Sequence, residues 1–489
     1  MAQTTQTLPF IDTIHFETVQ GAPTNPPFLM NPLKKINRFY LLFTATLIVL
    51  AISILGVIAY TNWVGISVSL YTANPRDQIG PYETLTLAFS QAVRPADVEN
   101  QLQLQPTIPG KLDWQNDHTL RFTPTKPYLG TITVRLGPGK FGVNGDSMRM
   151  DASWTLTVRQ PSIVYINAAE PKDELMVIPA EGGSTRQLTF TGGKVFDFDV
   201  SPSGNTVAYS IPNDQQGSDL WLVNRNGQNP RRLLACNADN CFALTWSPDG
   251  RQIAYSRQLP NSTEEDPRVS PWIINVETGK DQPVFSAPKT IGSGVLWSPD
   301  GNWLASFDEK TAQIRVVNLK SGKEVLLPSN SDQLGSWSPD GKFLIHPDYT
   351  TGVDPASSNL IILTNFLTLV DFKSGKATTL LKKASDENDY LYGNPVWSPN
   401  GDQIVLSMGS LRHRTPQLWV VRADKPDEAV MTAAQGYSYD YYQWNTWGTG
   451  LVIQQANRKR GYLPEIAVWY PAHGYKVVGE NGISPHWLP

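Results

Sequence analysis

Two hydrophobic patterns divide the chain. From Phe39 to Tyr60 the residues are apolar or small and none is charged. At about 1.5 Å per residue, a helix of that length crosses the roughly 30 Å hydrocarbon core of a bilayer. After residue 66 the pattern changes to short runs of alternating apolar and polar residues, such as Thr84-Leu85-Thr86-Leu87-Ala88-Phe89, separated by Gly, Pro, Asn and Asp. A period of two between turn residues predicts strands. One apolar helix therefore precedes an all-β body.

One punctuation mark recurs in that body. Trp246-Ser247-Pro248-Asp249-Gly250 is repeated at Trp297–Gly301, Trp337–Gly341 and, with Asn for Asp, Trp397–Gly401. Weaker copies are Val200-Ser201-Pro202-Ser203-Gly204 and Trp444-Asn445-Thr446-Trp447-Gly448, and Pro485-His486-Trp487-Leu488-Pro489 is a half copy. In each, an apolar strand ends on the first residue, Pro fixes φ, and Gly supplies a positive φ before the next strand leaves. The reference positions 200, 246, 297, 337, 397, 444 and 487 lie 40 to 60 residues apart. A four-stranded propeller blade takes about 40–50 residues. Residues 162–190 carry three strands without a first, and residues 483–489 a first strand without a blade. Joining them closes a ring and removes exposed edges.

The flanks orient the apolar helix. Lys34, Lys35 and Arg38 precede it, and the first basic residue after it is Arg76. Cationic flanks stay cytoplasmic, which predicts a single-pass anchor over 39–60 in the cytoplasmic membrane, with the β body outside. Phe39, Tyr40, Tyr60 and Trp63 suit its two interfaces. The run is longer than a cleaved signal's apolar region and starts further from the N-terminus. Residues 1–38 read as a polar, Pro-dotted cytoplasmic tail, disordered or a docking peptide. Outside the cytoplasm, Cys236 and Cys241 are expected to pair as a disulfide. The chain has 489 residues, a net charge of −4 and 17% charged residues. With no basic stripe, it offers no case for nucleic acid.

Residues 61–160 form a first β domain. Leu87-Ala88-Phe89-Ser90, Val93-Arg94-Pro95-Ala96-Asp97-Val98 and Leu120-Arg121-Phe122-Thr123-Pro124 resemble the bacterial Ig-like domains of S-layer and other envelope proteins. The resemblance implies a β-sandwich acting as spacer or adhesion module. Over 161–489 the Trp-Ser-Pro-Asp-Gly turns, with Asp173–Pro179 and Gly183–Thr189, resemble the propeller repeats of the TolB family. That implies a propeller with a binding role. TolB has an α/β domain ahead of six blades; this chain has an anchor, an Ig-like domain and seven blades, so a role in the Tol system does not follow. The expected fold is all-β: a seven-bladed β-propeller and an Ig-like β-sandwich behind one transmembrane α-helix.

Catalytic motifs are scarce. There is no Gly-x-Ser-x-Gly elbow, and six scattered His lack metal-ligand spacing, so no catalytic residue, metal or cofactor is assigned. One constellation stands out on the face opposite the Ser-Pro-Asp-Gly turns. Arg412, His413 and Arg414 lie in one loop, and Arg458, Lys459 and Arg460 in the equivalent loop of the next blade. Tyr437, Tyr439, Tyr441 and Tyr442 are read as the connection between those blades. Neighbouring loops add His346, Asp348, Tyr349, Asp386, Glu387, Asp389, Tyr390 and Tyr392. Basic groups beside aromatics suit an anionic glycan, a peptide or a partner protein; solvated loop charge and rim packing is the bland reading. The expected function is a binding or scaffold module of the cell envelope, with a protein or glycan partner. An extracytoplasmic hydrolase or lyase and a signalling receptor are the alternatives.

Overall fold

The computed structural model describes residues 38–72, 78–170, 172–263, 268–285, 292–353, 360–372, 374–384, 390–410, 417–431, 437–457, 461, 463–471 and 474–489. The expected tail falls outside them except for Arg38. The chain separates into two units, 1–64 and 65–489.

The first unit contains the helix Arg38–Val64, which runs four residues past the expected end because nothing breaks it before Gly65. Phe39–Val57 is long and apolar enough to cross a membrane. Its hydroxyls do not need water: Thr44, Thr46 and Ser53 donate to the carbonyls of Tyr40, Leu42 and Val49 at 2.8 Å. Such back-bonding satisfies a polar side chain in an apolar medium.

The second unit begins with two four-stranded sheets. One orders Val68–Tyr71, Leu85–Phe89, Thr119–Pro124 and Gly110–Asn116; the other orders Gln78–Ile79, Ala152–Val158, Thr131–Leu136 and Leu102–Gln105. Alternation does what the pattern predicts: Leu85, Leu87, Leu120, Ile132, Val134 and Leu136 are buried between them. The expected helical turn is Pro95–Glu99, with Pro in its first turn and Val98 buried.

Among the described residues seven four-stranded units follow, two of them joined into one eight-stranded sheet. Their innermost strands are Gly482–Leu488, Asp197–Val200, Asn240–Trp246, Ser293–Trp297, Ser336–Trp337, Tyr390–Trp397 and Tyr437–Trp444, taken here as blades 1 to 7. Blade 1 is composite. Gly482–Leu488 pairs antiparallel with Ser162–Asn167, which continues to Leu175–Pro179 and Arg186–Gln187.

The recurring motif makes a self-contained turn. Ser247 Oγ donates to Asp249 Oδ1 at 2.6 Å and accepts the amide of Gln252, while the Gly250 amide closes on Ser247 O. Ser298 with Asp300 and Ser338 with Asp340 repeat it. Where Asn400 replaces Asp, Ser398 Oγ turns to Asp402 instead. Gly250, Gly301 and Gly341 lie over Pro202, Pro248 and Pro299 of the preceding blade, so the turns stack around the ring. Gly204, at φ +67°, leaves no space for a side chain beside Pro489 O. There both backbone conformation and ring closure demand glycine.

The motif Trp joins blades. Trp246, Trp297 and Trp444 donate their indole N–H at 3.2 Å to the carbonyls of Asp199, Thr245 and Val396, and Trp487 to Gln443 O at 3.1 Å. In each case the acceptor immediately precedes the equivalent residue of the preceding blade. The indole N–H groups of Trp337 and Trp397, which flank blade 5, are buried without a hydrogen-bond partner among the described residues. Blade 5 has the shortest inner strand, two residues. Cys236, in the link between blades 2 and 3, forms the expected disulfide with Cys241 at the start of the blade 3 inner strand. Beside it Ser218 of blade 2 bridges Asn240 of blade 3, which hydrogen-bonds the two blades into one sheet.

The two-sheet domain docks on the turn side of the propeller. Arg159 Nη2 donates to Ser203 O at 2.9 Å, and Trp447 Nε1 to Tyr128 O at 2.8 Å. Glu83, buried, accepts from the Gly80 amide and from Asn205 Nδ2, and lies 3.7 Å from Arg159. A buried pair of this kind contributes little net stability, but losing one partner strands a charge.

Candidate functional site

Successive inner strands carry two equivalent positions, one and three residues before the motif reference residue. Across blades 1 to 7 the nearer position holds His486, Asp199, Thr245, Leu296, Ser336, Val396 and Gln443, and the farther holds Ser484, Asp197, Ala243, Gly294, Leu334, Asn394 and Tyr441. Blades 3 and 4 are largely apolar here. Polar and titratable groups converge where the ring closes, at blades 7, 1 and 2.

Most of these polar groups serve blade-to-blade contacts that backbone pairing leaves open. Asp199 Oδ2 accepts the Trp246 amide at 2.8 Å and Asp197 Oδ2 the Leu244 amide at 2.9 Å. Ser336 Oγ accepts the Trp397 amide, and Gln454 Oε1 the Ser484 amide at 2.7 Å. A buried amide without an acceptor would cost about 1–3 kcal/mol, so each carries structural weight.

His486 stands at the centre. Its Nδ1 lies 3.0 Å from Ser484 O, and a carbonyl can only accept, so Nδ1 carries the proton. Nε2 then accepts the Tyr441 O–H at 2.9 Å, with Asp199 Oδ1 at 3.7 Å. The His486 and Asp199 side chains are 14% and 17% exposed. Burial pushes Asp199 up to about 7 against the Trp246 and Val200 amides, which pull it down. Burial likewise lifts Asp197 to about 6, and lowers His486 below the usual imidazole range. The Tyr441 phenol is driven up by burial and then by Asp199 and Asp197. Tyrosine, imidazole and two carboxylates raised toward neutrality are thus gathered at one seam. No group of His, Cys, Asp or Glu that could hold a metal occurs among the described residues.

Arg412, His413, Arg414, Arg458, Lys459 and Arg460 lie outside the described residues, as do Asp386, Glu387 and Asp389. The four tyrosines belong to the strand Tyr437–Trp444, not to a connection; a run rich in β-forming aromatics pairs with Leu451–Asn457 through a bulge after Tyr439. Tyr437 is half-buried, Tyr439 is buried, and Tyr441 meets His486. Tyr442 is also buried; its hydroxyl receives the Ser407 amide and bonds Gly393 O, tying blade 7 to blade 6. His346 and Tyr392 are buried within strands, and Asp348 accepts the Asn330 amide. Sequence reasoning missed Asp197, Asp199 and His486, although aligning the motif copies puts Asp199 and His486 in one column.

No family model matches the chain. Among curated proteins it is similar to the uncharacterized protein YidR of Escherichia coli (strain K12), 26% identical over 138 residues, which is 26% of this chain and 31% of that one. It is also similar to the uncharacterized peptidase YuxL of Bacillus subtilis (strain 168), 28% identical over 159 residues, covering 32% of this chain and 22% of that one. The chain spans less than a third of the length of these curated relatives. Among solved structures, TolB from Acinetobacter baumannii aligns with a TM-score of 0.40 at 15% identity, over 68% of this chain and 83% of that one.

Proposed function

We propose that the protein is a single-pass, N-in membrane protein that displays an Ig-like spacer and a seven-bladed propeller outside the cytoplasmic membrane, as a binding or scaffold module of the cell envelope. The observation that carries this reading is the docking of the two-sheet domain on the turn side, through Arg159–Ser203 and Trp447–Tyr128. With that side occupied, the opposite face is the one left for a protein or glycan partner. Arg412, Arg414, Arg458 and Arg460 are its proposed contact residues, since arginine often dominates interface energetics through planar hydrogen bonding. The disulfide suits an oxidising compartment.

Two measurements test the reading. Protease added to spheroplasts should digest epitopes after residue 64 and spare a tag at residue 1; protection of the C-terminal part overturns the topology. Replacing the four arginines by Ala should weaken chemical cross-linking of the full chain to envelope proteins or glycans, with an unchanged melting curve. Unchanged cross-linking overturns the proposed face. A second reading, an extracytoplasmic hydrolase or lyase, draws on the Tyr441–His486–Asp199 array. Turnover of any defined peptide or glycan substrate that disappears in His486→Gln would favour it over pure binding.

A further inference from the structure

The ring has one seam where strands far apart in sequence meet, and titratable side chains from three blades crowd onto it. We propose that Tyr441, His486, Asp199 and Asp197 form a proton-operated latch on the closing strand Gly482–Leu488, tightest in mildly acidic solution and looser above neutrality.

The geometry makes His486 the pin. It belongs to the closing strand, accepts from Tyr441 of blade 7 and faces Asp199 of blade 2. Its own backbone carbonyl contact, Nδ1 to Ser484 O, fixes the ring so that Nε2 points between those two neighbours. Phe198 meets the imidazole edge-on at 4.7 Å between centroids and limits its movement. The remaining links of the strand are Ser484 N to Gln454, Trp487 N and indole to Gln443, and the Arg225 guanidinium donating to Pro489 O; burial and the nearby Arg159 and Arg186 lower Arg225 to about 9, so it keeps its charge through neutrality.

Proton count decides how well the pin holds. One proton on the His486–Asp199 pair removes the uncompensated charge at the seam, either by neutralising Asp199 or by turning the 3.7 Å approach of Nε2 and Oδ1 into an ion pair, in which Tyr441 Oη changes from donor to acceptor. With that proton gone, Asp197 and Asp199 are both anionic two residues apart on one strand, facing a neutral imidazole that offers no N–H. Two like charges then sit close together, largely removed from water and without a compensating cation, which weakens the folded seam. The two carboxylates favour their protonated forms in the folded ring, so their contribution is present at low pH and fades as pH rises through about 6 and about 7. His486 acts in the other sense: burial disfavours its cation, so its contribution is present above the ordinary imidazole value and is lost as pH falls from there through the lowered one. Tyr441, Tyr165 and Tyr470, which pack around the strand, are all held above the ordinary phenol range by burial and stay neutral throughout. The optimum therefore lies on the acid side of neutrality.

Hydrogen exchange of the full chain in detergent micelles tests this, with rates corrected for the intrinsic pH dependence of amide exchange. Protection of the 482–488 amides should fall at least about tenfold between pH 6 and pH 8.5, the equivalent of one pKa unit. Amides of Ser293–Trp297, on an inner strand remote from the seam, should not change. In Asp199→Asn the alkaline fall should flatten, and Asp197→Asn should reduce it. In His486→Gln, which keeps an acceptor for Tyr441, the loss below pH 6 should disappear. Wild-type protection that is flat with pH, or that falls equally at both strands, overturns the proposal. So does a full alkaline fall persisting in both Asp variants.

Discussion

The seams around blade 3 and the seams around blade 5 start from the same words in sequence and end in different bonds. Trp246 and Trp297 reach back to a carbonyl of the preceding blade, while Trp337 and Trp397 bury the same indole without an acceptor among the described residues. A shared motif guarantees the turn, because Ser, Pro and Gly act within a few residues of each other. It does not guarantee the link between blades, which needs a carbonyl of the preceding blade within reach of the indole. Blade 5, whose inner strand has two residues, is where the link fails.

The strongest way to separate the two kinds of seam is to remove one outright. Ending the chain after Glu480 should leave blade 1 without its inner strand and expose Ile163, Val164 and Ile166, which are buried in the intact ring. Burial is worth about 1.5–3 kcal/mol per large apolar side chain, and Trp487 and Leu488 go too, so a loss of several kcal/mol or outright insolubility is expected. A melting temperature equal to that of the full chain would show that closure does not hold the ring.

The indoles themselves give a finer cut. Trp246→Phe and Trp337→Phe delete similar ring volume, but only the first breaks a hydrogen bond and leaves Asp199 O short of a donor. We expect Trp246→Phe to cost about 1–2 kcal/mol more in urea unfolding. Equal costs would erase the distinction between the seams.

What is legible in the sequence follows from the same distinction. Turns, strand order and the closing strand are set by local chemistry and by spacing, and the pairing of Ile483 with Ile166 agrees with the expected closure. The helix at Arg38–Val64 is legible because its apolar length needs no partner. The seam array is not, because Asp197, Asp199 and His486 become neighbours only when blade 1 is closed, and one of them lies 287 positions from the nearer of the others. The tyrosines of 437–442 are misplaced for a related reason. Aromatics beside a charged loop look like a binding rim, yet three of the four are spent on packing and on inter-blade hydrogen bonds.

Smaller effects should distinguish the turns. Ser247→Ala removes the acceptor of the Gln252 amide and the donor to Asp249, and should cost about 1 kcal/mol. Asp249→Asn keeps an oxygen for both the Ser247 hydroxyl and the Arg251 amide, and should cost less than about 0.5 kcal/mol, as the natural Asn400 turn suggests. Thermal unfolding of the two single variants checks the order; a larger loss for Asp249→Asn would mean that charge, not hydrogen bonding, holds these turns.

The composite first blade also sets a timetable. Ser162–Asn167 leaves the ribosome more than 300 residues before the strand that completes its sheet. At about 5–20 residues per second, that early edge waits some tens of seconds for its partner. Contacts this distant in sequence form late, since the intervening chain must first be organised. Blades 2 to 7 can therefore fold as an open arc, with blade 1 as an unpaired edge at one end, and the pairing that makes the arc a ring comes after them.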